Sequence, residues 1–432
     1  VAGGGALLLW PALINGYPIV FSDTLGLAEM GLEPTMGWDK PWVYGPLILL
    51  FHWGVTLWGV AVAQVLAVSW VLWLVARVVG QARWWRHLGL CAVLAVGSAA
   101  PWFADFIMPD IGAPLVVLCL FLLGWGRPAL GPMARLAVAV LAGLAIACHL
   151  AHLLIAAGCL AVVLLVRTRR VLVCAAPLAA ALVWLLGSNA VGNGVVGVSP
   201  YGSVFALARL QADGPAADYL HSVCPGAGYR LCAWADRLPM DSDEFLWSPD
   251  GPIWGGKSGP TRVAPEASRI VSASLRFEPG LAARAAARNT LRQLGMVRLG
   301  DVLGPQHLVS TVGLLLLTYF PVAEIQRFEA SRQVHGTLMA AAKAVMPLDI
   351  PLLLLGLAGT VVAIATWRSH PALAGLGLVV LVGVLANAFA TGALSGPHDR
   401  YAARISWLVI VPAWLWLSGS QRVGRRRPPY GP

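Results

Sequence analysis

Ten apolar runs, nearly free of charged residues, recur along this chain and dominate what it can fold into. They lie near Val1 to Asn15, Leu57 to Val79, Leu88 to Ala104, Gly112 to Gly126, Leu136 to His149, Leu153 to Val166, Val171 to Gly187, Ile350 to Trp367, Ala372 to Leu394 and Ile405 to Ser418. The bilayer core offers backbone groups no water, so a crossing segment must be a helix of roughly 20 apolar residues or a strand of a closed barrel. Unbroken runs of this kind point to helices. Of the 432 residues, 58% are hydrophobic and 12% charged, and the mean hydropathy is +0.73. A soluble domain carries about a quarter charged residues. The expectation is an all-α polytopic membrane protein of about ten transmembrane helices.

The charges that remain are sorted by side. The first run lacks a basic flank and is short for a full span. No A-x-A cleavage site with a polar start follows it, so it reads as a retained helix rather than a signal peptide. If that helix runs outward, the loops on its starting side hold Arg77, Arg83 and Arg86, then Arg127 and Arg135, then Arg167, Arg169 and Arg170, then Arg368, then Arg422 and Arg425 to Arg427. Those loops contain no acid. All 20 acidic residues, from Asp23 to Asp399, fall in the other loops or at their margins. Clustered arginine marks the cytoplasmic side, which predicts a multi-pass protein of the inner (cytoplasmic) membrane. The net charge of +10 is then a topology signal, and membrane lipid rather than nucleic acid is the expected partner.

The same rule places two ambiguous runs. Counting Leu308 to Phe320 as a span would reverse everything after it, so it reads as a surface or re-entrant helix. Trp42 to Phe51 reads as an interfacial helix, with Trp42, Tyr44, Trp53 and Trp58 at headgroup level.

Residues 1–187 are thus expected to form a membrane module of about seven helices, and 348–432 one of about three. Residues 188–347 form a mostly helical periplasmic loop domain. It opens with GSNAVGNGVVGVSP and then shows helical spacing over Ala264 to Leu275, Leu281 to Leu299 and Pro321 to Val345. Cys91, Cys119, Cys148, Cys159 and Cys174 lie in apolar runs, where cysteine serves as a small hydrophobe. Cys224 and Cys232 flank a Pro-Gly turn in CPGAGYRLC, a spacing that suits a disulfide in an oxidising compartment.

Candidate chemistry concentrates in the acidic loops. Asp23 stands about one turn beyond the first helix, where a tuned carboxylate can serve as a general base or a metal ligand. Ser22-Asp23-Thr24 can equally cap a helix. Asp105 and Asp110 sit in a loop too short to leave the membrane surface, where an ionisable group is a functional candidate. Asp110 can also complement the dipole of the helix that follows it. His149 and His152 flank a tight turn; a metal site normally needs three or four ligands, and the alternative is a pair of structural turn histidines. The loop SGPHDRYAAR gathers His398, Asp399, Arg400, Tyr401 and Arg404. A guanidinium fork there suits a phosphate group, the alternative being an Asp399–Arg400 surface pair. No GxxxxGK[ST], GxSxG or HExxH pattern is present, which argues against ATP-driven transport and zinc proteolysis of the standard kinds.

On these residues the chain resembles the GT-C superfamily of integral-membrane glycosyltransferases, in particular bacterial relatives of protein mannosyltransferases and lipid A aminoarabinose transferases. Four matches occur in order: Asp23 in YPIVFSDT, the stretch KPWVYGPLILL, Asp110 in MPDI, and Asp399-Arg400-Tyr401 before a late helix. The resemblance implies a polyprenyl-phosphate sugar donor and an acceptor approaching from the periplasm. It implies that Asp23 and Asp110 are the catalytic acids and that Arg400 contacts the donor phosphate. Asp39, Lys40, Tyr44, Asp105, His149, His152, His398 and Tyr401 are the further candidates for substrate contacts. A divalent cation, Mg or Mn, is open: Asp23 is followed by Thr24 and Leu25 rather than a second acid, and there is no DxD. A lipid or polysaccharide transporter is the rival of another class, disfavoured by helix centres nearly free of charge. A non-catalytic relative that binds a partner is a third, and an acyltransferase working through His149 or His152 a fourth.

Overall fold

The computed structural model describes residues 1–255, 259–344 and 346–420. The Arg422 and Arg425 to Arg427 cluster, and Val345 at the end of one expected helical pattern, lie outside the described residues. Among the described residues every regular element is helical, and the one β-type pairing is an isolated parallel bridge between Ile19 and Phe106.

Among the described residues, five helices are long and apolar enough to cross a membrane: Trp58–Val78, Thr168–Gly192, Met346–Ala365, Pro371–Ala393 and Asp399–Gly419. Pro109–Trp125, Pro132–Ala147, Leu150–Val166 and Val309–Tyr319 are apolar but shorter. Large apolar side chains stand exposed along these helices, Leu66, Leu165, Leu172, Val183, Leu354 and Leu355 among them. Faces of this extent cannot be left to water. Together with the long apolar helices, these faces point to a membrane protein.

Two apolar runs are broken, and each break has a local cause. The first run is split into α1 (Ala2–Leu8) and α2 (Trp10–Asn15). Pro11 brings no N–H to the helical ladder, so the turn around Leu9 loses continuity. The run from Leu88 is split at Ser98, which is extended, with Pro101 just beyond it. Ser98 Oγ accepts the Ala100 N–H at 3.2 Å and so starts the next short helix, Ala100–Ala104. That second break turns the chain inward and buries Asp105, Phe106 and Asp110.

After α2 the chain forms α3 (Thr24–Leu32) and α4 (Tyr44–His52), packed against each other. Gly31 and Gly45 make that contact possible, because a Cβ on Gly45 would lie 2.1 Å from the Leu27 carbonyl oxygen. The loop between them, which carries Asp39 and Lys40, is held at both ends. Trp42 stacks on Trp184 at 6.2 Å, and Trp38 stacks on Phe205 at 5.2 Å.

Residues 188–347 divide between two hydrophobic cores. The helices α5 (Gly202–Asp213), α6 (Pro215–Val223), α7 (Ser242–Trp247) and α8 (Pro260–Phe277) enclose a separate small core around Leu207, Phe245 and Ile270. The Cys224–Cys232 disulfide is formed beside it. From Leu299 to Ala342 the chain instead joins the main core with the apolar helices. There Glu324 accepts from the Tyr17 hydroxyl at 2.8 Å, the Thr56 hydroxyl at 3.0 Å and the Leu57 N–H at 2.8 Å. Gln333 exchanges hydrogen bonds with both backbone groups of Val20. Val309–Tyr319 lies across this region with Val312, Leu315 and Leu316 buried, and Leu314 and Leu317 exposed. The expected helix over Pro321 to Val345 is interrupted: among its described residues, helix occurs at Val322–Glu329 and Leu338–Lys343. The turn between them docks on Asn15 through the Arg332 and Gln333 N–H groups.

Candidate functional site

Where the small core meets the main one, a cavity of about 530 Å³ opens. Its wall includes Asp23, Asp39, Lys40, Asp110, His149, Arg400 and Tyr401, drawn from four separate loops of the sequence. Leu27, Leu154, Phe205, Leu210, Trp247, Val271, Leu275 and Leu394 supply an apolar side.

Asp23 occupies the position before α3, yet its side chain makes no cap hydrogen bond. Thr24 ties the turn instead: its hydroxyl accepts the Phe21 N–H and donates to the Ile107 carbonyl. The Asp23 carboxylate, 38% exposed, is left facing Lys40 Nζ at 3.8 Å. Lys40 also bonds Asp39. Burial opposes the charge on this ammonium, but Asp23 and Asp39 outweigh burial and raise its pKa above the ordinary lysine value.

Asp110 is buried in the short turn Pro109–Ile111 and meets Arg404 Nη1 at 3.3 Å and Arg400 Nε at 3.9 Å. Arg404 is fully buried, and its Nη2 donates to Asn387 Oδ1 at 2.8 Å. Asn387 in turn donates to the Tyr401 carbonyl at 2.7 Å. Arg400 lies over the rings of Phe21 and Tyr401, 4.6 and 5.0 Å from their centroids. These contacts fix one guanidinium beneath the cavity and a second in its wall.

His149 is the residue before the helix Leu150–Val166, and its Nδ1 accepts the Ala151 N–H at 3.2 Å. Its ring stacks on that of His152, 5.0 Å away. His152 is fully buried behind it, with Nδ1 2.7 Å from the Ala145 carbonyl.

Four of the expected contact residues stand off the cavity wall. Tyr44 is buried beside it and donates to Gln64 at 2.8 Å. Asp105 accepts the Ala12 N–H at 2.9 Å, a long-range cap on the broken first helix. Its burial raises the carboxyl pKa well above the usual range. His152 is shielded by His149. His398 holds the rim, 3.5 Å from Asp243, with its ring edge toward Tyr401.

Sequence reasoning did not single out Asn387, Arg209, Phe205 or Trp247. Asn387 carried a signal, an amide inside an apolar run. Arg209 lines the cavity and pairs with Asp213 at 2.9 Å, and nothing in its local sequence marks it.

The carboxylates do not fit a metal. Asp23 faces an ammonium and Asp110 faces guanidinium groups, so the positive charge beside each is already supplied. Among the described residues no group of three or more His, Cys, Asp or Glu is arranged to hold an ion. A second cavity, about 370 Å³, lies by Trp234 and Glu266, but Glu266 is engaged by the Arg230 and Leu231 N–H groups.

No family model, curated protein or solved structure matches the chain.

Proposed function

We propose that the chain is a membrane glycosyltransferase that moves a sugar from a polyprenyl-phosphate donor to a cell-envelope acceptor. One observation carries the reading: a single cavity sets an accessible carboxylate, Asp23, beside two cations, Lys40 and Arg400, against an apolar wall. A lipid-linked phosphate sugar has the matching parts, an anionic centre next to a long apolar chain. In the same reading the ten apolar runs all enter the bilayer of a bacterial inner membrane, with the arginine loops in the cytoplasm. The cavity and the small core then face the periplasm. The disulfide supports that side, since such bonds persist in oxidising compartments.

The chemistry is an inverting displacement. The acceptor O–H gives its proton to the Asp23 carboxylate as its oxygen bonds to the anomeric carbon. The bond from that carbon to the phosphate oxygen breaks, and the electron pair leaves with the phosphate. Arg400 and Lys40 meet that developing charge. In this reading Asp110, paired with Arg404, holds Arg400 in place.

The test is label transfer from a radiolabelled polyprenyl-phosphate sugar to a membrane extract by protein in nanodiscs. Wild type transfers and Asp23→Asn does not. Binding of the donor with no transfer by wild type would replace the enzyme reading with that of a lipid carrier.

A further inference from the structure

His149 stands in the cavity wall with one nitrogen already committed. The Ala151 N–H has a single hydrogen and directs it at Nδ1, so Nδ1 must present a lone pair. In a neutral imidazole the ring proton then resides on Nε2. The second histidine is fixed the opposite way: a carbonyl only accepts, so His152 Nδ1 must donate to Ala145. The stacked His152 ring holds the plane of His149. The charged and titratable groups around His149 are Lys40 from the α3–α4 loop, Arg400 and Arg404 from the last span, and Asp110 and His152. Burial first, and then Arg404, Arg400 and Lys40, keep the ring from taking a second proton.

We propose that His149 is a positioning residue of the cavity, a fixed neutral donor whose Nε2–H binds a phosphate-type oxyanion together with Arg400 and Lys40. It is therefore not a general base, because the lone pair a base would use is occupied by the backbone. A neutral donor adds a directional hydrogen bond without adding charge to a wall already crowded with cations. The proposal rests on the reading of the cavity as a phosphate-lipid site.

The experiment measures binding of dodecyl methyl phosphate, a singly charged phosphodiester, through quenching of the cavity tryptophan fluorescence in nanodiscs. His149→Ser keeps an oxygen to cap the Ala151 N–H but cannot reach the ligand. It should melt like wild type yet bind about ten-fold more weakly, the loss expected for one hydrogen bond to a charged group. His149→Ala should lose both cap and affinity. Wild-type affinity should stay flat as pH falls through 6.5, the ordinary histidine value. Inorganic phosphate in competition separates a lipid site from a headgroup-only site: weak competition is expected, and displacement at equal concentration would overturn the lipid assignment. Unchanged affinity in His149→Ser, or affinity rising on acidification, would overturn the donor role. If wild type ignores the probe, the phosphate-lipid reading fails as well. If Arg400→Gln weakens binding while His149→Ser does not, only the inference about His149 fails.

Discussion

Arg404 and Asp110, 294 residues apart in sequence, meet at 3.3 Å in the interior and join the last span to the turn that begins the fourth apolar run. Both are buried, Arg404 fully and Asp110 at 1% exposure. Breaking a buried pair from one side leaves an uncompensated charge and costs about 3–5 kcal/mol. Asp110→Asn and Arg404→Gln should each lower the thermal midpoint in detergent sharply. The double variant should lose less than the sum, and additive losses would show that the two residues are not coupled.

Asp23 is exposed enough to be replaced without unfolding the protein. Asp23→Asn should leave thermal stability unchanged and reduce label transfer by about 10²–10⁴-fold, the usual contribution of a general base. Lys40→Met should chiefly weaken donor binding. Transfer at the wild-type rate in Asp23→Asn would remove the base from the proposed chemistry.

The buried histidine His52 should contribute stability that acid removes. His52 is buried, and burial lowers its pKa from 6.5 to about 4. Between those values the unfolded chain binds a proton that the folded chain does not, so stability rises with pH. The contribution is present above 6.5 and is lost as pH falls toward 4, at most roughly 3 kcal/mol. His149 acts in the same direction. His52→Asn, which retains an acceptor for the Gly54 N–H, should flatten this part of the melting-temperature profile. An unchanged slope would assign it to other groups.

The α3–α4 contact predicts a steric effect at a distance from any charge. Gly45→Ala places a methyl group against the Leu27 carbonyl. Overpacking of this kind costs about 1–3 kcal/mol, and the Lys40 loop, anchored between these helices, should shift with it. Weakened donor binding together with a lower melting point is the expected result. A variant that binds and melts as wild type would show that the helices part freely.

The disulfide is checked by mass. Without reductant, alkylation under denaturing conditions should label Cys91, Cys119, Cys148, Cys159 and Cys174 but spare Cys224 and Cys232. Label on either of the last two would contradict the pairing.

The helical class and the Cys224–Cys232 pairing were legible because each is written in short-range pattern. The same holds for the acids and arginines that the structure gathers into one cavity: charges that interrupt a scarce-charge chain are conspicuous. The helix breaks were harder. Pro11 and Pro101 lie inside apolar runs, and hydropathy alone treats such runs as continuous. The role of Asp105 was hidden because its partner, the Ala12 N–H, becomes free only when the first helix breaks. Arg209 was hidden because the cavity side it supplies exists only once the small core docks on the main one.

Glu324 carries a consequence for how the protein is made. Its carboxylate holds Tyr17, 307 residues earlier in the chain, while Gln333 holds Val20, 313 residues earlier. At a synthesis rate of about 5–20 residues per second, the segment from Tyr17 to Val20 waits roughly 15–60 s for the residues that fasten it. Through that interval the stretch bearing Asp23 is tethered to the membrane but has no final seat. Assembly of the cavity wall that carries Asp23 is thus a late event in translation, and a ribosome that stalls before Glu324 leaves a chain without a finished cavity.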